Sequence, residues 1–106
     1  MYHLKFWFEH GGGCLWSAND QAHDTFGYKV SVDALSIGDT LKDTLKALEN
    51  RYKSYLNWDD PAALSPWTGE EKQAFLQDAD AAYQMLCEEL GGEFTVENKL
   101  HSCVSL

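Results

Sequence analysis

The sequence predicts an α+β domain in which two long helices pack on one face of a small, mainly antiparallel sheet of three or four strands. Three observations carry this reading. Apolar residues alternate at period two in residues 2–9. Two apolar stripes with helical spacing follow, at 39–56 and 68–90. A further β-type run closes the pattern at 93–96. The chain has 106 residues, 44% of them hydrophobic, so a single domain over 1–106 with a thin core is expected.

Each element has its own local signal. Residues 2–9, YHLKFWFE, put Leu4, Phe6 and Phe8 on one face of a strand and Lys5 and Trp7 on the other. Gly11, Gly12 and Gly13 then permit positive φ freely, which suits a hairpin turn. Cys14, Leu15 and Trp16 read as the returning strand. Ser17, Asn19 and Asp20 are N-cap residue types, so a short helix is expected from near Asp20 to Thr25, stopping by Gly27. Tyr28 to Val32, YKVSV, alternates with β-branched residues and predicts another strand.

The first long helix carries Ile37, Leu41, Leu45, Leu48, Tyr52 and Tyr55 or Leu56 on one stripe, with Ser36 or Asp39 as its cap. Lys42, Lys46, Arg51 and Lys53 lie off that stripe. Pro61 and Pro66 exclude a continuous helix through 57–67. Thr68 and Glu71 form a capping box that opens the second long helix. Its core positions are Phe75, Ala79, Ala82, Leu86 and Leu90, and Gly91-Gly92 stops it. Glu93 to Val96 reads as the last short strand.

The net charge of −9, from 17 acidic and 8 basic residues, is unevenly placed. Residues 1–56 hold six basic and seven acidic side chains, whereas residues 57–98 hold ten carboxylates against Lys72 alone. Such acidity argues against direct binding to nucleic acid or to an anionic membrane. No apolar run approaches the roughly 18 residues of a membrane helix, and no secretory signal is visible. Three cysteines without CxxC spacing indicate no disulfide framework, so a cytoplasmic setting is expected.

Helical geometry gathers the charge. On the second long helix Glu71, Asp78 and Glu89 fall on one flank of the core stripe, and Glu70 and Glu88 face outward. Asp59 and Asp60 lie in the loop before it, which Trp58 and Trp67 bracket. The expected partner-binding set is Trp58, Asp59, Asp60, Trp67, Glu70, Glu71, Asp78 and Glu89. The carboxylates meet a cationic protein partner, and one or both tryptophans act as apolar anchors. The plainer alternative is a solvated acidic face with both tryptophans in the core.

Signals for catalysis are thin. His10-Gly11-Gly12-Gly13-Cys14 is superficially like an esterase oxyanion element, but no G-x-S-x-G elbow exists. Cys14 has His10 and His23 within nine residues, which leaves a small enzyme with a site around His10–Cys14 as one alternative. His3, His10, His23 and His101 show no metal spacing, and Asp59-Asp60 lacks a calcium-loop pattern. No metal, cofactor or catalytic residue is therefore expected. The last four residues, Cys103 to Leu106, match a prenylation signal only loosely. A homo-oligomeric module, with Trp7 on an exposed strand edge, is a further alternative.

The segments FWFEHGGGCLWSAND (6–20), LNWDDP (56–61), WTGEE (67–71) and EELGGEF (88–94) resemble a family of small bacterial proteins over most of the chain, a resemblance that brings no activity with it. In size and acidity the chain is also similar to the immunity proteins of bacterial toxin systems, including contact-dependent growth inhibition. Those are cytoplasmic antidotes that block one cognate toxin, often a basic nuclease. That similarity is of type and carries no residues over. It implies a non-catalytic protein that binds a toxin.

Overall fold

Leu4, Phe6 and Phe8 are each at most 1% exposed, and the apolar face they form organises the chain. The computed structural model describes residues 1–9, 13–55 and 66–104. β1 (Tyr2–Phe6) is the central strand of a three-stranded sheet ordered β2-β1-β3. β2 (Leu15–Ser17) runs antiparallel to it, with Phe6 opposite Leu15. β3 (Phe94–Asn98) runs parallel to it, with Tyr2 opposite Phe94 and Leu4 opposite Val96. The sheet is thus mixed, not mainly antiparallel. Only eight residues separate β1 from β2, whereas both long helices lie between β1 and β3, and that length of chain can return in the same direction.

The strand expected at Tyr28–Val32 does not form. One antiparallel bridge joins Trp16 to Lys29, and the Val30 N–H donates to the Leu15 carbonyl at 2.9 Å. Val32–Ala34 then curls into a 3₁₀ turn, capped by the Ser31 hydroxyl. Val30 and Val32 are buried, so their alternation serves the core while the backbone turns toward the next helix. β1 is paired on both sides as far as Phe6, and just beyond it the Trp7 N–H donates to the Cys14 carbonyl at 3.1 Å.

Among the described residues three α-helices complete the fold. α1 (Asp20–Phe26) is capped by Asn19 and ends at Gly27, whose φ of 79° favours glycine. α2 (Asp39–Tyr52) buries Leu41, Leu45, Leu48 and Tyr52. Its N-cap is Gly38, not Ser36 or Asp39. α3 (Gly69–Leu90) opens with the expected Thr68–Glu71 capping box and buries Phe75, Leu76, Ala79, Ala82 and Leu86.

α3 lies on the sheet. Phe75 meets Phe8 edge to face at 5.0 Å, and the Tyr83 hydroxyl donates to the Val96 carbonyl at 2.6 Å. α2 packs chiefly against α3 and reaches the sheet through Tyr52, 5.7 Å from Phe8. α1 sits at the far end, where Phe26 contacts Tyr2 and Phe94. The expected pair of long helices on one face therefore holds for α3 and only in part for α2. The reverse of the sheet carries Trp7 stacked on Trp16 at 5.4 Å, with Tyr28 beyond.

Candidate functional site

The three flank carboxylates of α3 are brought together with the rest of the chain, and each has an internal partner. Glu71 accepts from the Thr68 N–H at 3.4 Å while the Thr68 hydroxyl accepts from the Glu71 N–H at 3.1 Å, closing the first turn. Asp78 accepts from Arg51 of α2 at 2.6 Å. Glu89 accepts from the Gly38 N–H, also at 2.6 Å, and so caps α2 from another helix. A glycine N-cap has no side-chain acceptor of its own, and a carboxylate at a helix N-terminus is favoured by the dipole. The helical wheel places the three on one flank, and α2 meets that flank at Asp78 and Glu89, which the wheel does not reveal.

Glu70 and Glu88 project from the outward side of α3, exposed and without a hydrogen bond or ion pair among the described residues. Between α2 and α3 runs a groove of about 380 Å³ with an apolar lining from Ala47, Leu48, Ala81 and Met85. The Arg51–Asp78 pair lines it too. Met85 is 40% exposed, one of three large apolar side chains open to solvent among the described residues. The helical wheel held the one available signal for this groove: small or flexible residues at 47, 81 and 85, off the core stripe.

Trp67 takes a core position. It is 8% exposed, and its indole N–H donates to the Ser54 hydroxyl at 2.8 Å. Its ring meets Phe75 at 5.2 Å and Tyr55 at 5.3 Å. Trp58, Asp59 and Asp60 lie outside the described residues, as do His10, Gly11 and Gly12.

Cys14 is 1% exposed. Burial, and then the nearby Glu49 carboxylate, push its thiol well above the ordinary range. A thiol held protonated in the core is a poor nucleophile. His23, on α1, is exposed. Cys103 is half-buried with its thiol donating to the Leu100 carbonyl at 3.0 Å, and Val104 is buried, a poor setting for lipidation. Among the described residues no group of histidine, cysteine, aspartate and glutamate could hold a metal ion. Nor is any helix there long and apolar enough to cross a membrane.

A family model described as Serratia CdiI immunity protein-like matches residues 2–99. The chain belongs to that family. The match begins at the first residue of β1 and runs past the end of β3, so it takes in the whole sheet and all three α-helices. Comparison with individual curated proteins gives no match. Family membership says nothing about which of the surfaces above meets a partner.

Proposed function

We propose that this chain is an immunity protein: it neutralises a cognate toxin by binding it one to one, and the toxin is a basic, nuclease-type protein. Membership of the Serratia CdiI immunity protein-like family supports the first part. The observation that carries the second is the division of labour along α3. Glu71, Asp78 and Glu89 are engaged within the fold, while Glu70 and Glu88 remain open on the outward face. Glu70 and Glu88 stand near opposite ends of α3, about 27 Å apart, so each offers a separate carboxylate that a cationic partner can pair with.

In this reading the acidic second half of the chain stands in for phosphate charge and covers the toxin's substrate groove. Long-range attraction speeds the encounter, which suits an antidote. Asp59, Asp60 and Trp58, which precede α3 in sequence, are proposed to extend the same surface. The protein acts in the cytoplasm, without cofactor, catalysis, nucleic acid or membrane.

Calorimetric titration against the toxin encoded beside it, repeated as salt is raised, tests this. One-to-one binding that weakens with salt is expected. Glu70→Gln and Glu88→Gln together, and Asp59→Asn with Asp60→Asn, are each expected to slow association about tenfold or less. No binding would overturn the immunity reading. Tight binding indifferent to salt and to all four changes would overturn the acidic-surface version.

A further inference from the structure

We propose that a recess at one end of the sheet receives an arginine side chain of the toxin. The proposal rests on the immunity reading for the source of that arginine, but not for the chemistry that would hold it. The recess has a volume of about 500 Å³. It lies where residues 7–9 leave β1, beside the C-terminal end of α2 and the 3₁₀ turn Leu100–Ser102. Trp7 and Tyr55, both half-buried, give it accessible aromatic surface, with Tyr52 buried behind them, and Glu9 is the one charged side chain among the described residues that line it.

These walls are held in place before any ligand arrives. The Trp7 indole N–H donates to a Glu9 carboxylate oxygen at 3.0 Å, so an otherwise free surface carboxylate is tied to the rim. Trp7 is itself stacked on Trp16, whose indole N–H donates to the Trp7 carbonyl at 3.1 Å. On the other side Tyr52 donates its hydroxyl to the Cys103 carbonyl at 2.6 Å and stacks on Tyr55 at 5.3 Å. Little side-chain freedom remains to be lost on binding, which favours affinity.

The combination selects one kind of group. A carboxylate beside aromatic rings suits a planar, weakly hydrated cation that can stack and donate two hydrogen bonds at once. That is a guanidinium. An ammonium is more strongly hydrated, and a neutral or anionic group makes no use of Glu9. The rings here already attract cations of the chain itself: Lys5 lies 6.0 Å from the Trp7 ring and Lys72 6.0 Å from the Tyr55 ring, both at the outer limit of cation–π attraction. Neither lysine lines the recess. Sequence position separates this contact from the acidic second half, since Glu9 lies in the near-neutral part of the chain.

N-acetyl-arginine amide titrated into the full chain, followed by NMR, tests the recess without the toxin. Saturable shifts of the Trp7 indole N–H and the Tyr55 ring are expected at millimolar concentration. The citrulline analogue, neutral and of similar shape, should bind about tenfold more weakly, and Glu9→Gln should erase the difference. Equal response to both amides, or no movement at Trp7, would overturn the proposal. In the toxin titration Glu9→Gln should weaken affinity about tenfold, chiefly through faster dissociation. If the wild type binds toxin and Glu9→Gln binds as tightly, the recess proposal falls alone. If the wild type does not bind toxin, the immunity reading falls, and with it the toxin as source of the arginine.

Discussion

Replacing Glu89 by alanine should destabilise the fold, although the side chain is exposed and sequence reasoning assigned it to a partner. The Gly38 N–H donates to Glu89 Oε1 at 2.6 Å, and Gly38 offers α2 no side-chain cap. Loss of a cap costs about 1 kcal/mol, and loss of an anion at a helix N-terminus about 0.3–1 kcal/mol. Solvent competes for the exposed Gly38 amide, so a total near 1 kcal/mol is expected. For a domain of this size that lowers Tm by about 4–8 °C. Urea unfolding followed by circular dichroism measures it, with Glu88→Ala as the neighbouring control. Glu88 has no internal partner among the described residues, so its removal should fall within about 0.5 kcal/mol of zero. Gly38→Ser sharpens the test. Its Cβ would stand 3.1 Å from Glu89 Oε1, and the backbone there is ordinary extended chain at φ −67°. The serine should cost stability in the wild type and recover it in Glu89→Ala, where the hydroxyl can take over the cap. Unfolding of Glu89→Ala at the same urea concentration as Glu88→Ala would refute the reasoning.

Tyr83→Phe removes the hydroxyl that ties α3 to β3 through the Val96 carbonyl and should cost about 1 kcal/mol, read from the same urea curves. Asp78→Asn breaks the ion pair with Arg51, but both side chains are substantially exposed, so the cost should stay below about 1 kcal/mol. Burial raises the pKa values of the Cys14, Cys103 and Tyr52 side chains, so the folded state keeps protons that the unfolded chain releases. Stability contributed in this way is present below the unfolded thiol value of about 8.5 and is lost as pH rises beyond it. The urea midpoint should therefore be lower at pH 10 than at pH 7. A midpoint that holds or rises would contradict the burial of these groups. Iodoacetamide at neutral pH should leave Cys14 unmodified in the folded protein and label it after unfolding, as mass spectrometry of peptides would show.

Sequence periodicity located the two long helices, the capping box at Thr68–Glu71, the stop near Gly91 and the buried alternation Leu4–Phe6–Phe8, because each depends on residues within about four positions of one another. It also brought Glu71, Asp78 and Glu89 onto one flank, since helical angle alone decides that. The sequence missed whatever depends on what lies opposite. Val30 and Val32 alternate like a strand, yet they reach the core from a bridge and a turn. β3 is short enough to pair in either direction, and the long helical return makes it parallel to β1. The carboxylates divide in the same way. Glu89 is engaged because Gly38, 51 residues away, arrives beside it, whereas Glu88, its chain neighbour, points outward. Local geometry therefore set which residues share a face. Tertiary packing decided which charges on that face remain free for a partner, because a carboxylate's availability depends on the donors that folding brings within 3 Å of it.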